Sequence, residues 1–514
     1  MKRILALTLS LLITMGLAIP VTSTAAAGDY SIVSAGAYNQ FTNYVDGYTM
    51  YVDASMSVDM SNSEVCAVLE NNEKRIEIYK QSLAGQSFTG YINYSNRFLN
   101  DTADHVTDYV GSQKIGHYNC FLTSWHRNKL ARVANDKNYY LVIDVPAGGY
   151  SYTIFVKASA PISDLGGYTY LVSNFSTFAP TTYGSVKKTG TVNAETRGWN
   201  DETKAFYEQY FVNNDCLNWG IFEPNTAMFD YTKLDSYEKY FDYQFPVLLN
   251  YSEFENTYKH PNLDKRLEMA YDHGKVLELT LQTSAKGGSN MIYDILNGTY
   301  DEFLKNYAKT IADFGHPVLF RPFNEMNGDW CPYSSYNTSR DTMIYKEVYK
   351  YLHKIFKKQG ANNVIWVWNP NSGSFPDYKW NHTLNYYPGD KYVDVVGMTA
   401  YNTGTYYWNV GERWKEFDEL YVNLYYTYNA WFGQPLMITE FASASCGGDK
   451  VQWVKTMFKS LKNFKQLKMA VWWDGCDWDT NGNIARSYFI DETPQLMEVF
   501  RRNLKKPWYH EVYA

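Results

Sequence analysis

The sequence predicts an α/β protein, a (β/α)8 TIM barrel preceded by a mainly β accessory domain. From about residue 200 onward, short apolar runs alternate with amphipathic helical stretches, and such repeated strand–helix units are typical of a parallel sheet. Eight such runs over about 310 residues predict a closed barrel. An open doubly wound sheet is the alternative, but no glycine-rich phosphate loop follows the first run.

The eight predicted strands are short and continuously apolar, as expected of strands that are buried on both faces. They are predicted at 217–222, 245–249, 275–281, 317–320, 363–368, 393–398, 435–439 and 468–472. Helices between them are predicted at 263–273, 300–314, 340–358, 411–431 and 450–464. Several follow a possible cap, such as Asn262 or Ser339, and end at a glycine, such as Gly315.

The N-terminus has the composition of a secretory signal. Lys2 and Arg3 precede an apolar run that ends in three alanines at 25–27. We therefore predict a signal peptide over 1–27 and a secreted, extracellular protein, whose association with the cell surface stays open. An uncleaved anchor helix is the alternative, and Pro20 together with the small-residue end disfavours it.

The remaining chain divides into three parts by composition and by the pattern of apolar and polar residues. Residues 28–180 alternate apolar and polar positions, and two runs within 139–156 read as a hairpin, so we predict a β-rich accessory domain. Residues 181–196 are small, polar and marked by glycine, as linkers are, and 197–514 carry the barrel. Carbohydrate binding, with Trp125 in an aromatic platform, and a spacer role both stay open for the accessory domain.

Composition limits the partners. A net charge of −7 with scattered Lys and Arg argues against nucleic acid and, after removal of the signal, against a membrane surface. Tyr and Trp are frequent, which suits sugar stacking and ordinary cores alike. The cysteines lack CxxC spacing and the histidines lack metal spacing, so no metal is predicted. A Cys331–Cys446 bridge and two free thiols both stay open.

Two glutamates follow predicted strands at the face where barrel active sites lie, Glu325 after the fourth strand and Glu440 after the seventh. Two carboxyl groups across one cleft suit glycoside hydrolysis, in which one protonates the leaving oxygen and the other attacks the anomeric carbon. We expect aromatic neighbours and mutual repulsion to keep Glu325 protonated, and donors such as Arg321 and Tyr401 to keep Glu440 ionised. For either glutamate alone, a helix cap would be the simpler explanation.

The motifs around these glutamates resemble glycoside hydrolase family 26, the mannanase and lichenase family. Leu319-Phe-Arg-Pro-Phe-Asn-Glu-Met-Asn-Gly-Asp-Trp330 is similar to its acid/base motif, and Pro435-Leu-Met-Ile-Thr-Glu-Phe-Ala-Ser443 to its nucleophile motif. Residues 364–371 and 471–475 resemble its fifth and eighth strands, and the resemblance covers about residues 200–505. It implies a retaining double displacement, Glu325 as acid/base, Glu440 as nucleophile and no cofactor.

The resemblance and the strand ends together give a set of expected sugar contacts. Tyr401 matches the tyrosine that the family places beside the nucleophile, and Trp473 matches the floor of the reacting-sugar subsite. Loop aromatics such as Trp478 and Tyr333 were further candidates for stacking. The predicted substrate-binding residues are Arg321, Asn324, Trp330, Asn369, Tyr401, Trp408, Trp473 and Asp474.

The sequence thus predicts a secreted, monomeric, retaining endo-β-glycanase acting on plant hemicellulose, with β-1,4-mannan as the first substrate. Asn324 stands where mannanases of the family commonly carry His, and it keeps mixed-linkage β-glucan and xylan open. A non-catalytic carbohydrate-binding protein is the alternative from a different class. The acidic loop at 477–482 was considered for calcium, although it lacks the full EF-hand spacing.

Overall fold

The computed structural model describes residues 28–213, 215–283 and 289–509, so the predicted signal peptide at 1–27 lies outside the described residues. The described chain folds into an N-terminal pair of β-sheets, a closed parallel barrel and one short hairpin. Within those ranges, no helix is both long and apolar enough to cross a membrane.

The N-terminal region contains eleven strands and two helices. The strands are β1 (Tyr30–Ala35), β2 (Tyr38–Asn43), β3 (Tyr48–Asp53), β4 (Ser57–Asp59), β5 (Ala67–Glu70), β6 (Lys74–Ser82), β7 (Val106–Ile115), β8 (Tyr118–His126), β9 (Tyr139–Ala147), β10 (Tyr150–Ala158) and β11 (Ser176–Thr177). The helices are α1 (Phe88–Ser95) and α2 (Tyr170–Ser173). The sheet orders are β1-β2-β3-β11 and β4-β5-β6-β10-β9-β8-β7, and the predicted hairpin is β9–β10.

These two sheets pack face to face, and we call the unit the N-terminal sandwich (residues 30–177). Strand β3 alternates strictly, so Tyr48, Met50 and Val52 point inward while their neighbours stay partly exposed. They share one core with Ile78 and Ile154 of the seven-stranded sheet. The four-stranded sheet therefore covers one face of the larger sheet.

The other face of the seven-stranded sheet is buried against the barrel. Tyr79, Trp125, Tyr140 and Phe155 point away from the sandwich core and belong to the same apolar cluster as the barrel helices. Trp125 is fully buried, so the prediction that it forms an exposed sugar-binding platform is wrong. The segment 181–196, predicted as a linker, hydrogen-bonds to both units, through Ser185 to Glu64 and through Thr189 to Trp431.

The barrel confirms the predicted fold class. Its strands are β12 (Asn218–Phe222), β13 (Val247–Glu253), β14 (Val276–Gln282), β15 (Val318–Pro322), β16 (Val364–Trp368), β17 (Val395–Thr399), β18 (Leu436–Phe441) and β19 (Leu467–Trp473). All neighbouring pairs are parallel, and β12 pairs with both β13 and β19, which closes the barrel. A hairpin of β20 (Cys476–Trp478) and β21 (Ile484–Ser487) follows.

The helices around the barrel match the expected alternation with local differences. They are α3 (Asp201–Tyr207), continued by a π-helix (Glu208–Val212), then α4 (Thr232–Phe241), α5 (Leu263–Asp272), α6 (Met291–Asn297), α7 (Asp301–Phe314), α8 (Thr342–Lys358), α9 (Phe417–Trp431), α10 (Lys450–Ser460) and α11 (Pro494–Leu504). Helix α8 is capped by Asp341 and not by Ser339, which has a left-handed backbone. Residues 411–416, predicted as helix, lie in a loop.

The barrel interior is layered from apolar to polar. Strand alternation points Val247, Leu319, Ile365 and Met437 into the lower interior, and the aromatic rings of α3 and its π-helix pack against this layer. The next inward positions are polar, and they are Glu278, Thr280, Arg321, Asn369 and Thr399. This polar layer lies directly below the mouth of the barrel.

Candidate active site

Arg321 is the centre of the polar layer. It is fully buried on β15, and its guanidinium donates to Thr280 Oγ1 at 2.8 Å and to Asn369 Oδ1 at 3.0 Å. The remaining nitrogen, Nη2, reaches Glu440 Oε2 at 2.8 Å. A buried guanidinium that is fixed by side chains on β14, on β18 and directly after β16 holds a positive charge in one place under the mouth.

A register shift aims Glu440 at this charge. The pairing of β17 with β18 shifts between Met398 and Thr399, so Thr399 lies opposite Glu440. As a result, both Thr439 and Glu440 face inward, Thr439 toward Thr399 and Glu440 toward Arg321. The Tyr251 hydroxyl also donates a short hydrogen bond to Glu440 Oε2. Two donors on one oxygen fix the position of the Glu440 carboxyl group.

Glu325 is held differently, in the loop after β15. Phe323 and Glu325 both have left-handed backbones, with φ of 54° and 55°. The amide of Glu325 donates to the carbonyl of Asn369 at 2.7 Å, and Asn371 Nδ2 donates a short hydrogen bond to Glu325 Oε1. Left-handed backbone at non-glycine residues costs free energy and is concentrated at functional sites.

The surroundings of Glu325 favour its protonated form. Burial raises the pKa of Glu325 to about 7, and the nearby charge of Glu440 acts in the same direction. Hydrogen bonds from Asn371 and Trp330, together with the charge of Arg321, oppose the shift in its pKa. One carboxyl of the mouth is therefore poised to carry a proton near neutral pH, as a general acid requires.

A third carboxyl, Glu278, lies beneath the pair. It is fully buried on β14, and its Oε1 is 3.1 Å from Arg321 Nε without the geometry of a hydrogen bond. Burial raises the pKa of Glu278 to about 8, and Arg321 acts in the opposite direction. Arg321 thus lies between two carboxyl groups, with its hydrogen bond directed at Glu440.

Aromatic side chains surround the mouth. Trp473, at the end of β19, stacks on Phe222 at 5.0 Å and lies edge-on to Tyr401 at 6.4 Å, so it forms a partly exposed floor. Trp330 is half-exposed and contacts the equally exposed Phe375 at 5.3 Å. Flat apolar rings that remain exposed are suited to stacking on sugars.

The outlying aromatics differ in exposure. Trp408 is exposed in the loop after β17, and Trp478 is exposed at the end of β20. Tyr333 is buried, and its hydroxyl donates to the backbone carbonyl of Asn324 at 2.6 Å, so it supports the loop and offers no sugar-stacking face. Asn324 itself is nearly buried between Phe323 and Glu325.

Three residues predicted to bind substrate, Arg321, Asn369 and Asp474, lie below the mouth. Asp474 is fully buried, pairs with Lys233 at 3.1 Å and accepts from the amide of Ile490 at 2.6 Å. Asn369 is also buried, and its side chain is engaged by Arg321 and Thr399. The side chains of Asn369 and Asp474 are engaged by protein partners and support the site in this structure, and their contact with sugar stays a prediction.

The strand-end pattern missed three residues of the site. Tyr251 was missed because β13 was predicted to end at 249, although 251 has the same inward parity as 247 and 249. Asn371 lies within the segment 364–371 that resembles the fifth strand of the family, and no feature of the sequence distinguishes it there. For Glu278, the available signal is a single carboxyl group within an apolar run.

The remaining predictions concern cysteines and metals. Cys331 is buried and Cys446 is exposed, and both are free thiols, so the bridge between them is not formed. Across the described ranges, no group of three His, Cys, Asp or Glu is placed to hold a metal. The acidic loop is a hairpin turn in which Asp479 accepts from the amides of Asn481 and Asn483.

Comparison with known proteins identifies relatives of the barrel. Residues 282–441 match the model of glycosyl hydrolase family 26. Endoglucanase H of Acetivibrio thermocellus is 31% identical over 241 residues, which cover 46% of this chain and 25% of that protein. A mannan endo-1,4-beta-mannosidase of Bacillus subtilis is 40% identical over 97 residues, 18% of this chain and 25% of that protein. The matches thus span about a quarter of these curated relatives.

Two solved structures that are described as mannanases are similar to this chain. A family 26 beta-mannanase from Bacteroides ovatus has a TM-score of 0.47 at 16% identity, and covers 61% of this chain and 95% of its own. A modular endo-beta-1,4-mannanase from Cellulomonas fimi has a TM-score of 0.44 at 17% identity, with 61% and 76% covered. The segment that matches the family 26 model contains both Glu325 and Glu440.

Proposed function

We propose that this chain is a secreted, retaining endo-β-glycanase that acts on a plant polysaccharide, with Glu325 as acid/base and Glu440 as nucleophile. The observation that carries the proposal is that Glu325 and Glu440 lie at the same mouth of the barrel but in different environments. Glu440 receives two hydrogen bonds from Arg321 and Tyr251, whereas burial raises the pKa of Glu325 to about 7. An acid and a carboxylate are thus available together.

The proposed reaction has two displacements. In the first, a Glu440 oxygen forms a bond to the anomeric carbon as the bond to the leaving oxygen breaks, and Glu325 gives its proton to that oxygen. In the second, Glu325 removes a proton from water, and the water oxygen replaces Glu440 at the same carbon. Glu440 loses its charge on forming the ester and regains it on release, so the fixed charge of Arg321 favours its departure.

We propose β-1,4-mannan as the first substrate and mixed-linkage β-glucan or xylan as the alternatives. The relatives support both mannan and glucan as substrates, since one relative is named an endoglucanase and the other a mannan endo-1,4-beta-mannosidase. Hydrogen bonds to the sugar 2-hydroxyl strengthen in the transition state, and this hydroxyl is axial in mannose but equatorial in glucose and xylose. Asn324, beside the acid, is the residue on which we expect this choice to depend.

A polysaccharide panel tests activity and substrate together. Mannan, lichenan and xylan are incubated with the wild-type chain, and product sizes distinguish internal from terminal cleavage. Glu440→Ala is expected to abolish hydrolysis of the preferred polymer while binding to it persists. Glu268→Gln, on the outer face of α5, is the control for expression and is expected to keep full activity.

The result also separates the enzyme from a binding protein. Undiminished hydrolysis by Glu440→Ala contradicts the mechanism. Binding of a polymer without cleavage by the wild type favours a carbohydrate-binding protein. Export is tested separately: a culture that expresses the full chain is expected to release a protein that begins at Gly28.

A further inference from the structure

The N-terminal sandwich contacts the loop that carries Glu325. This loop, residues 323–341, is called the acid/base loop below. Tyr94, in the last turn of α1, donates its hydroxyl to Asp329 Oδ2 at 3.0 Å. Its ring packs on Tyr336 of the same loop at 5.3 Å. The sandwich therefore touches the loop four residues beyond Glu325 and next to Trp330.

The far end of the acid/base loop is also fixed to the sandwich. Arg340 is fully buried, donates to Asn96 Oδ1 at 3.2 Å and lies over the ring of Phe155 at 5.8 Å. Asp341 caps α8 and also accepts from Tyr140 at 3.0 Å and from Lys157 at 2.7 Å. Buried charged hydrogen bonds of this kind are costly to break, so this end is held firmly.

The second loop that reaches Glu325 rests on the same surface. This loop follows β16 and carries Asn371, the donor to Glu325. Farther along, Tyr378 donates to Gln86 at 2.7 Å, and the amide of Lys379 donates to Gln81 at 2.8 Å. Trp380 Nε1 reaches Ser95 Oγ at 3.2 Å.

The two loops are also joined to each other. Asn327 of the acid/base loop donates through Nδ2 to the carbonyl of Asn371 at 3.0 Å, and Asn381 Nδ2 donates to the carbonyl of Asn327 at 2.9 Å. A displacement at the sandwich surface is therefore transmitted to Glu325 through both its own loop and its hydrogen-bond donor. The contacts of Glu440 differ, since Arg321 and Tyr251 both belong to barrel strands.

We propose that the N-terminal sandwich is a positioning element for the acid/base, acting through the Tyr94–Asp329 hydrogen bond, and not an independent sugar-binding module. This inference rests on the proposed function. It predicts a selective defect: weakening the contact impairs the steps that need the proton of Glu325 and spares attack by Glu440. Tyr94 and Asp329 are positioning residues, because they act through the loop.

The test is how the loss in kcat/KM depends on the leaving group of the substrate. A merely structural role of Tyr94 would lower kcat/KM equally for all leaving groups. Tyr94→Phe keeps the ring packing and removes the hydroxyl. For the polysaccharide, whose leaving oxygen needs a proton, kcat/KM is expected to fall about tenfold, within the range that general acid catalysis supplies. For a 2,4-dinitrophenyl glycoside, whose leaving group needs no proton, kcat/KM is expected to change less than about twofold.

Conservative variants of the acceptor sharpen the test. Asp329→Asn retains an oxygen that accepts from Tyr94, and it is expected to keep most of the wild-type activity on the polysaccharide. Asp329→Leu removes the acceptor and is expected to reproduce the Tyr94→Phe pattern. Tyr150→Phe, in the same sandwich but half-exposed at the start of β10, is the matched control and is expected to match wild type on both substrates.

A readout that needs no turnover accompanies the kinetics. Isotope-edited infrared titration of the Glu325 carboxyl is expected to give a lower pKa in Tyr94→Phe than in wild type, because a loosened loop admits water. An equal loss on both substrates, or an unchanged carboxyl titration, overturns the positioning role. Absence of cleavage by the wild type overturns the proposed function instead, and the infrared result then still decides whether the sandwich acts on Glu325.

Discussion

Glu440 and Glu325 share one mouth, yet the chain holds them by different means. Glu440 sits on β18, and both of its donors come from barrel strands, Arg321 from β15 and Tyr251 from β13. Glu325 sits beyond the end of β15, on left-handed backbone, and its side-chain donor comes from another loop. One carboxyl is positioned by the sheet and the other by loops that rest on a second domain.

The difference matches what each group has to do in the proposed reaction. A nucleophile needs a fixed charge at a fixed distance, and the ladder of a closed barrel provides the least movable frame in the fold. An acid/base has to exchange its proton with substrate and water, which a partly enclosed loop permits. We therefore expect changes around Glu440 and changes around Glu325 to have different effects.

Removal of either carboxyl group is expected to have the largest effect on activity. Rescue of the two variants by azide is expected to give products of opposite anomeric configuration. Glu440→Ala and Glu325→Ala should each lower hydrolysis of the polysaccharide by at least about 1,000-fold, on the scale of losing a catalytic group. Added azide should give the α-glycosyl azide with Glu440→Ala and the β-glycosyl azide with Glu325→Ala, measured by NMR on an activated β-glycoside. The same anomer from both variants contradicts the assignment of roles.

Loss of Arg321 is expected to have the next largest effect. Arg321→Met leaves the buried Glu440 without its counter-charge, and we expect a loss of about 3–5 kcal/mol in the free energy of unfolding, measured with urea at about pH 7. Because Glu278 holds its proton at this pH, the double variant Arg321→Met with Glu278→Gln should show about the same loss. A clearly smaller loss in the double variant would show that Glu278 is ionised beside Arg321.

Asn371 is expected to set the upper pH limit of activity. It donates to Glu325 and thereby stabilises the ionised form, so Asn371→Ala should raise the pKa of Glu325 further above about 7. The basic limb of the kcat/KM profile should move upward by about half to one pH unit, the scale of one hydrogen bond to a charged group. Asn306→Ala, on the outer helix α7, is the matched control, and a downward shift for Asn371→Ala contradicts the role.

The positions of the two glutamates were predictable because the ends of parallel strands converge on one face of a barrel. Inward and outward positions alternate along a strand, and this alternation also predicts that Tyr251 faces the barrel interior. By the same rule Trp473, whose ring faces inward, differs from its neighbour Asp474, which is buried. The Asn371 contact was not predictable, since it depends on how two irregular loops meet.

The packing of the sandwich on the barrel was not predictable either. A strand face that carries Trp125, Tyr140 and Phe155 has the same local pattern whether it meets a sugar or another domain. Which of the two it meets depends on the surface that packs against it. Here that surface includes Arg340 and Trp380 of the barrel, which are far away in sequence. The local pattern therefore indicated an aromatic face but not its partner.

Glu278 is expected to affect the stability of the chain and not its chemistry. The pKa of this carboxyl is raised to about 8 in the folded chain, above its ordinary value near 4.5, so the folded state holds the proton more tightly than the unfolded chain. Stability is therefore fully present below about pH 4.5 and is lost as pH rises through about 8. Glu278→Gln, which cannot ionise, should remove this dependence.

The effect is measured by urea unfolding at pH 5 and pH 8. Relative to wild type, Glu278→Gln should gain about 3–4 kcal/mol between these pH values, because only the wild type has to ionise or retain a proton on a buried carboxyl. Glu268→Gln, exposed on α5, should follow the wild type at both pH values. If Glu278→Gln instead loses stability toward pH 8, Glu278 is ionised in the folded chain and its charge, paired with Arg321, contributes to holding the polar layer beneath Glu440.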